Sequence, residues 1–335
     1  MTPLLTFGNP EFDVSIIIVS FNTRDMLHEC LQSVYRDGSS LSHQVIVVDN
    51  ASTDGSQEMI ERDFPQTVLI KSTVNLGFGK ANNLGFEKAK GKYIVLLNSD
   101  AFLSGKSLER SIEHMEANPR VGLGGGRLLG RDDSSQPSAR MFPTLTSDLF
   151  VLSGLAAKFP RSRIFGYADR TWANEMDEAE VDWVPGAYSI IRPEALAAVG
   201  GFDPRFFLYY EEVDLCRRMK QEGYSIWYWP DVTVTHIGGE SSRQLHGMQL
   251  SQVGTQLTLW RMRSMLLYYR KNHGMKVWCA MLLEMLWYWL RSVKRRLSPN
   301  PRHRASAEVD LSLASIMCRA WRDTKGGRLS PAQPW

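Results

Sequence analysis

The chain has 335 residues, of which 43% are apolar and 22% charged, a balance typical of a soluble globular protein. Its net charge of +3 is distributed unevenly: residues 261–335 contain 15 Lys or Arg against 4 Asp or Glu, whereas residues 1–260 contain 24 against 32. A basic segment on an acidic body fits two alternatives, a polyanionic partner such as a membrane surface or nucleic acid, or a solvated basic face.

The cysteine spacing and the apolar runs indicate the cellular location of the protein. The four cysteines are scattered without a C-x-x-C pair, which excludes the usual patterns of a disulfide framework or a zinc site. The first thirteen residues lack the basic start and apolar run of a secretory signal. The most apolar later segment, Val277–Leu290, contains Glu284 and is shorter than the roughly 20 residues of a spanning helix. We therefore expect a cytoplasmic location, peripheral on the inner face of the cell membrane.

The first hundred residues alternate strand and helix patterns. Strands are expected at Val14–Val19, Val45–Val48, Val68–Lys71 and Tyr93–Leu97, with helices beginning near Arg24, Ser56 and Gly79. This alternation predicts an α/β fold with a mostly parallel, doubly wound central sheet. Residues 130–180 have no clear period and indicate a long loop or insertion. Helices dominate from about residue 243, and the last thirty-odd residues are predicted to be poorly structured.

Polar residues follow three of the predicted strands. They are Ser20, Asn22, Asp49, Asn98 and Asp100. Ligands of such sheets bind at the carboxyl ends of the strands, where these side chains converge. An isolated Asp at a strand end is more simply explained as a turn residue. Two acids at strand ends of one sheet favour a functional interpretation.

Two later segments carry further chemistry. The run YYEEVDLCRR contains Glu211, Glu212 and Asp214; a helix start explains acids there but not the two preceding tyrosines. His236 is followed by two glycines, which indicate close backbone approach to a ligand, although a lone His after a strand is usually structural. Acids and an imidazole suit sugar transfer from a nucleotide diphosphate, which needs a divalent ion for the departing diphosphate and a base for the acceptor hydroxyl.

These segments resemble the family-2 glycosyltransferases, and among them the bacterial rhamnosyltransferase-like group. The matching segments are VSIIIVSFNTRDMLHECLQSV, VIVVDNASTDGS, NLGFGKANNLGF, YIVLLNSDAFL, VPGAYSIIRPEALAAVGGFDPRFFLYYEEVDLCRRMKQEGY and VTHIGGESS. They run in family order from Val14 to Ser242, about two thirds of the chain. The resemblance implies a GT-A fold, a divalent metal (Mn²⁺ or Mg²⁺) and inversion at the anomeric carbon, and the helical pattern from about residue 243 adds a helical C-terminal appendage.

The resemblance also implies roles for residues on the donor side. Asp49 would contact the base or ribose of the nucleotide sugar, with Ser20 and Asn22 nearby. Asp100 would be the metal carboxylate of a D-x-D-like element whose first member is Asn98 here. His236 would be a second ligand of the metal or diphosphate.

On the acceptor side, Glu211 and Glu212 match the Glu-Asp pair whose second member is the usual base, with Glu in place of Asp. Trp183, Gly186 and Asp214 would line the acceptor. Glu211, Asp214 and Arg218 share a helix face, which suits a structural ion pair and leaves Glu212 for the substrate. The acceptor implied is a glycan or lipid-linked glycan, and rhamnose is the sugar favoured.

Other classes of protein fit the sequence less well. A nucleotidyltransferase would need a glycine-rich loop after the first strand, and the glycines of residues 122–126 lack the G-x-G-x-x-G spacing of a dehydrogenase. A processive synthase would carry several membrane spans. A non-catalytic sugar-nucleotide-binding or scaffold protein of a polysaccharide assembly complex has no need of the acids. Single-sugar addition therefore fits best, with no nucleic-acid partner expected.

The predicted organisation is a catalytic domain at 14–242, divided into a nucleotide half at 14–129 and an acceptor half at 181–242. A helical, membrane-associating appendage follows at 243–297 and a flexible basic tail at 298–335. Within the appendage, Glu284, Tyr288, Arg291 and Arg295 form one polar stripe opposite an apolar one. This pattern fits a helix in a membrane interface or one packed on the protein.

Overall fold

A computed structural model describes residues 5–37, 40–238 and 250–331. The chain divides into two compact units. The first comprises the described residues of 1–142, 173–204 and 211–246, and the second those of 143–172, 205–210 and 247–335. The second unit thus includes two stretches, 143–172 and 205–210, from within the predicted catalytic domain. The predicted border at 242/243 lies outside the described residues, and the domain limits stay a prediction.

The first unit begins with alternating strands and helices, in the order expected from the sequence. They are β1 (Phe12–Ser20), α1 (Arg24–Asp37), β2 (His43–Asp49), α2 (Ser56–Asp63), β3 (Val68–Lys71), α3 (Phe78–Phe86) and β4 (Gly91–Asn98). Successive residues of β1 face opposite sides of the sheet: Ile16 and Ile18 pack into one buried cluster and Ile17 into another. Burial on both faces explains why β1 is a continuous apolar run.

The rest of the chain up to the C-terminal helices adds eleven further elements within the described residues. They are β5 (Ala101–Leu103), α4 (Ser107–Ala117), β6 (Val121–Leu129), β7 (Ser135–Gln136), α5 (Leu145–Leu152), α6 (Leu155–Lys158), β8 (Ala179–Val181), β9 (Tyr188–Ile191), α7 (Pro193–Val199), α8 (Glu211–Gln221) and β10 (Ser225–His236). The stretch 130–180, expected to be one long loop, therefore contains short strands and helices. One of them, α5, begins with a capping box between Thr144 and Ser147. A capping box is a local signal that hydrophobic periodicity does not reveal.

The central sheet has the strand order β3-β2-β1-β4-β9-β6-β10-β5, with β7 on β6 and β8 on β10. β3, β2, β1 and β4 are parallel to one another, and β6 and β10 pair in parallel. β9 lies antiparallel between β4 and β6, so all six of these strands share one direction. The mostly parallel sheet is confirmed, and the carboxyl ends of β1, β2 and β4 meet at one edge.

The glycine run in β6 serves packing. A Cβ on Gly124 would lie 2.0 Å from the ring of Trp229, and a Cβ on Gly126 would lie 2.4 Å from the carbonyl oxygen of Val232. Val232 belongs to a stretch of β10 where the pairing register with β6 shifts between Trp229 and Thr233. Glycine in a strand is typical of such a close approach between backbones.

The second unit is helical. It contains α9 (Leu250–His273), α10 (Lys276–Arg296) and α11 (Pro301–Asp323), after α5 and α6. Within the described part of the chain, none of the helices is both long enough and apolar enough to cross a membrane.

The expectation of a flexible tail at 298–335 is wrong for residues 301–323, which form α11. Asn300 caps the helix by accepting a hydrogen bond from the backbone N–H of Arg302 at 3.0 Å, and Pro301 occupies the first turn. Asp310, in the middle of the helix, is fully buried against arginines of α10. High charge predicts disorder only where the charges are solvated, whereas the three acids of this segment pair with arginines of α9 and α10.

Gly126→Ala should destabilise the first unit by about 1–3 kcal/mol, because the added methyl group meets a backbone atom that cannot move aside. Gly8→Ala is the matched control, since a Cβ there meets nothing within 4 Å. Urea denaturation followed by tryptophan fluorescence measures both. Equal midpoints for Gly126→Ala and the wild type would contradict the packing explanation.

Candidate active site

The loops after β1 and β2 are hydrogen-bonded to each other through Asn22. Its backbone N–H donates to the Ser52 hydroxyl at 2.9 Å, and its side-chain carbonyl accepts from the Thr53 N–H at 2.8 Å. The residue has a φ of +52°, a conformation that Asn tolerates better than most side chains. The expected position of Asn22 near the nucleotide stays a prediction. Its observed hydrogen bonds hold the two loops together.

Asp49, at the end of β2, presents an unused oxygen. Its Oδ1 accepts from the Ser52 N–H at 3.0 Å and from Gln57 Nε2 at 2.6 Å. Its Oδ2 is buried and has no hydrogen-bond partner within the described residues. A buried carboxylate oxygen without a partner is costly, so a donor from a ligand, such as a ribose hydroxyl or a base N–H, would satisfy it.

Asn50 was not singled out from the sequence, yet it joins three loops. Its N–H donates to the carbonyl of Ser20 at 2.8 Å. Its side chain accepts from the Leu76 N–H at 2.8 Å and donates to Asn75 Oδ1 at 2.9 Å. The sequence signal was present in the turn-forming run NASTDGS, but the partners could not be read from it.

The loop after β4 joins the same network. The Thr23 hydroxyl donates to the Ser99 hydroxyl at 2.9 Å and lies 3.0 Å from that of Ser20. Asn98 donates its N–H to the carbonyl of Ala187 at 3.0 Å. Ser20 and Asn98 are thus placed at the edge predicted for them, and the contacts described for them are loop contacts.

Asp100 and His236 are brought together by strand pairing. β5 and β10 are antiparallel, with His236 opposite Ala101, and the Ile237 N–H donates to the carbonyl of Asp100 at 3.1 Å. As a result Asp100 Oδ1 lies 3.5 Å from His236 Nε2, and the Asp100 side chain is only 5% exposed. The two residues are 136 positions apart, so only the fold makes them neighbours.

Gln136 determines which nitrogen of the His236 ring carries the proton. Its Nε2 donates to the backbone carbonyl of His236 at 2.7 Å, and its Oε1 lies 2.8 Å from His236 Nδ1. A carbonyl can only accept, so the amide NH₂ must face it and Oε1 must face the ring. Nδ1 therefore carries the proton, and in the neutral imidazole Nε2 points its lone pair toward Asp100.

This pair fits a divalent ion in its chemistry. A carboxylate oxygen and an imidazole nitrogen 3.5 Å apart are compatible with two ligands at about 2.1 Å from one ion. No third His, Cys, Asp or Glu completes a metal-binding group among the residues that the structure describes. Oxygens of a diphosphate and water would complete the shell, as magnesium sites commonly do. The predicted motif continues beyond Gly238 outside the described residues.

Trp183 and Gly186 lie on the segment before β9. Trp183 donates its indole N–H to the Met141 carbonyl at 2.9 Å, and the guanidinium of Arg140 stacks 4.6 Å from its ring. A Cβ on Gly186 would lie 3.1 Å from the ring of Phe78 at the start of α3. Their acceptor-side role stays a prediction.

The first turn of α8 carries three acids. Asp214 is fully buried and accepts from Arg218 Nε at 2.8 Å, the i, i+4 pair predicted from the sequence. This contact uses Oδ2 of Asp214, and the acceptor-side role of Asp214 stays a prediction. Glu211 is buried and its Cβ lies 3.7 Å from where a Cβ on Gly79 would be.

The chain enters α8 through two strained residues. Tyr209 and Tyr210 have φ values of +70° and +67°, in the left-handed region that disfavours non-glycine side chains. Such strain costs of order 1–3 kcal/mol per residue and is concentrated at functional sites.

Glu212 has the environment of a desolvated base. Its Oε2 is buried without a hydrogen-bond partner within the described residues. Burial raises the pKa of Glu212, while a backbone hydrogen bond and the charge of Arg140 act in the opposite direction. Arg140, missed in the sequence, is therefore electrostatically coupled to Glu212.

Comparison with known proteins gives the family of the chain. Residues 15–168 match the family model described as glycosyl transferase family 2. The N-acetylglucosaminyl-diphospho-decaprenol L-rhamnosyltransferase of Mycobacterium tuberculosis is 31% identical over 213 residues, covering 59% of this chain and 67% of that protein. The chain belongs to glycosyltransferase family 2 and is a glycosyltransferase. It is rhamnosyltransferase-like: the rhamnosyltransferase WbbL of Escherichia coli is 27% identical, covering 69% of this chain and 85% of that one.

Solved structures support the GT-A fold. The mannosyltransferase PcManGT of Pyrobaculum calidifontis, in complex with GDP-Man and Mn²⁺, superimposes with a TM-score of 0.55 at 16% identity, covering 95% of this chain and 90% of that one. GalNAc-T7 with UDP, GalNAc and Mn²⁺ gives a TM-score of 0.53 at 13% identity, covering 95% and 58%. The fold is therefore of the GT-A type, with a mostly parallel central sheet and a helical C-terminal region.

The neutral form of His236 should carry its proton on Nδ1, because Gln136 Oε1 accepts from that atom. Long-range ¹⁵N–¹H correlation spectra of histidine-labelled protein report the tautomer, with His236→Asn to assign the signal. Gln136→Leu should yield a mixture of tautomers. A wild-type ring protonated on Nε2 would refute the assignment.

Proposed function

We propose that the protein catalyses metal-dependent, inverting transfer of a single sugar, of the rhamnose class, from a nucleotide-diphosphate donor to a lipid-linked or cell-surface glycan. The observation that carries this proposal is the Asp100–His236 pair, whose oxygen and nitrogen face each other at 3.5 Å at the sheet edge. The names of the relatives support the sugar and a polyprenyl-diphosphate-linked acceptor.

Donor binding begins at Asp49. The nucleotide enters at the carboxyl ends of β1 and β2, where the buried Oδ2 accepts a hydrogen bond from its ribose or base. Asn22 and Asn50 hold the surrounding loops in shape, so little conformational entropy is lost on binding.

Asp100 and His236 would hold Mn²⁺ or Mg²⁺. When bound, the ion stabilises the negative charge that develops on the departing diphosphate. Gln136 keeps Nε2 of His236 available as a ligand by holding the proton on the other nitrogen. Two Mn²⁺-containing structures of the same fold support the choice of a divalent ion.

Glu212 is the proposed base. Inversion requires the acceptor oxygen to attack from the side opposite the diphosphate, and a carboxylate there removes its proton as the bond forms. The buried Oε2 of Glu212 has no hydrogen-bond partner within the described residues and would accept that proton, whereas Asp214 binds Arg218 through its Oδ2. Neighbouring residues on a helix point about 100° apart, so Glu211 and Glu212 cannot face the acceptor equally.

The acceptor is proposed to lie at a membrane. A glycan linked to a polyprenyl diphosphate resides in the bilayer, so the enzyme must work at the surface, peripherally on its inner face. The strongly basic segment 261–335 supports this location, since anionic lipid attracts Lys and Arg.

Asp100→Ala should lower sugar transfer and donor hydrolysis by about 10²–10³-fold or more, because the departing diphosphate loses its charge partner. His236→Ala should lower the rate less and weaken the dependence on metal. The assay is turnover of dTDP-, UDP- and GDP-sugars with Mn²⁺ or Mg²⁺. Full wild-type turnover in excess EDTA would refute the metal, and donor binding without any turnover would favour a non-catalytic binding protein.

Glu212→Gln should lower turnover by about 10²–10⁴-fold while leaving the donor Kd nearly unchanged, since a base acts only in the chemical step. Glu211→Gln is the matched control. If Glu211→Gln is inactive and Glu212→Gln is not, the assignment is reversed; if both remain active, the base is another residue.

The same base gives a pH dependence. Only the carboxylate accepts a proton, so kcat/KM should fall on the acid side through a pKa above the ordinary 4.5 of Glu. Arg140→Gln removes a charge that lowers this pKa and should move the acid limb to higher pH, whereas Arg140→Lys should not.

A further inference from the structure

We propose that the outward face of α10 is a docking surface for an anionic lipid bilayer. This face is defined by nine side chains, Met275, Trp278, Cys279, Leu282, Leu286, Trp289, Leu290, Val293 and Leu297, all exposed. The inference deepens the membrane location proposed above by naming the surface responsible, and it rests on that proposal only for the reason that the enzyme needs a membrane.

The polar stripe of α10 faces the interior of its own unit. Glu284 is 3% exposed and accepts two hydrogen bonds from the guanidinium of Arg261 on α9, both at 2.9 Å. Tyr288, one turn further along, is also buried. The side of the helix that an ordinary surface helix would turn to water is therefore the side that packs.

A second ion-pair cluster continues this arrangement toward the end of α10. Arg291 and Arg295 both bind the fully buried Asp310 of α11, at 2.6 Å and 2.8 Å. Between them, the Ser292 hydroxyl donates to the carbonyl of Ala307 at 2.9 Å. Charged pairs at several points thus fix the rotation of α10, so its apolar side is held outward.

The outward face is large and continuous. At 100° per residue its nine side chains cover roughly 120° of the helix circumference, over the whole length of α10. Trp278, Leu286 and Trp289 are 43%, 53% and 50% exposed. Scattered exposed apolar residues need no explanation, but a contiguous stripe of this kind marks an interaction site.

The charges at its border select an anionic lipid surface. Lys276 and Lys294 are exposed beside the apolar stripe, and so is Arg296, which pairs with the exposed Glu308 of α11. Glu284, the single acid of α10, is turned inward. Tryptophan and basic side chains beside aliphatic ones are typical of helices lying in the headgroup region. Anionic headgroups complement the cations, while the leucines enter the acyl boundary.

A second copy of the chain fits this face less well. In a two-fold contact the helices would run either parallel or antiparallel. At the border of the face, a parallel contact sets Lys294 of one copy beside Arg296 of the other, and an antiparallel one sets Lys294 beside Lys276. Both bring like charges together in an apolar contact, which is unfavourable.

The test is co-sedimentation of the full-length protein with vesicles of phosphatidylcholine alone or with 30 mol% phosphatidylglycerol. Leu286→Gln with Trp289→Gln should lower the partition coefficient on anionic vesicles by about 10²-fold, because both apolar side chains lose their burial. Lys294→Gln with Arg296→Gln should lower it roughly tenfold on anionic vesicles and leave binding to phosphatidylcholine unchanged.

The matched control is Val74→Gln with Ile164→Gln, two apolar side chains that are 46% and 67% exposed outside α10. This variant should bind vesicles like the wild type, and circular dichroism checks that all variants remain folded. Unchanged binding of the Leu286/Trp289 variant, or equal loss in the control, would overturn the proposal.

Sedimentation velocity without lipid tests whether a second copy of the chain covers this face. If the wild type is a dimer that the Leu286/Trp289 substitutions dissociate, while vesicle binding persists, the face joins two copies and the proposal is wrong.

Donor hydrolysis without lipid separates this proposal from the proposed chemistry. A variant that fails to bind vesicles but hydrolyses donor normally supports docking alone, whereas an inactive wild type that still binds vesicles counts against the chemistry.

Discussion

The hydrogen bonds that tie the loops after β1, β2 and β4 are the constraint on which the donor side depends. A parallel sheet brings strand ends together, but the loops that follow are free to diverge unless something joins them. Asn22 and Asn50 join the loop after β1 to those after β2 and β3, and Thr23 joins it to the loop after β4 through Ser99. One oxygen of Asp49 stays buried without a hydrogen-bond partner within the described residues. The loops therefore have their shape before any ligand binds, and the same hydrogen bonds hold the polar side chains at the sheet edge in place.

The sheet and the positions of its polar ends could be predicted because both depend on local pattern. Continuous β-branched runs predicted β1 and β2, and acids after them predicted where a ligand would bind. Gln136, Arg140 and the antiparallel β9 could not be predicted this way. Gln136 meets His236 across 100 positions, and no local period encodes such a pairing. The roles of Asp49, Asp100 and Glu212 remain predictions that the geometry accommodates.

The helical unit shows a different limit of sequence reasoning. The alternation of polar and apolar residues in α10 was visible, but not which side would be buried. The answer depends on Arg261 and Asp310, charged partners contributed by two other helices. A pattern of one helix defines two faces, and the neighbours decide between them. The charged α11 was predicted to be unstructured for the same reason, because the ion-pair partners of its acids lie on other helices and cannot be read from its own sequence.

The two tyrosines before α8 have a consequence for how this chain can change over time. Left-handed φ values at Tyr209 and Tyr210 would be relaxed by glycine, which adopts them without steric cost. Such a replacement would also free the backbone next to Glu211 and Glu212 to sample other directions. Glycine at either position would therefore relieve local strain and, by the same change, loosen the entry of the chain into α8.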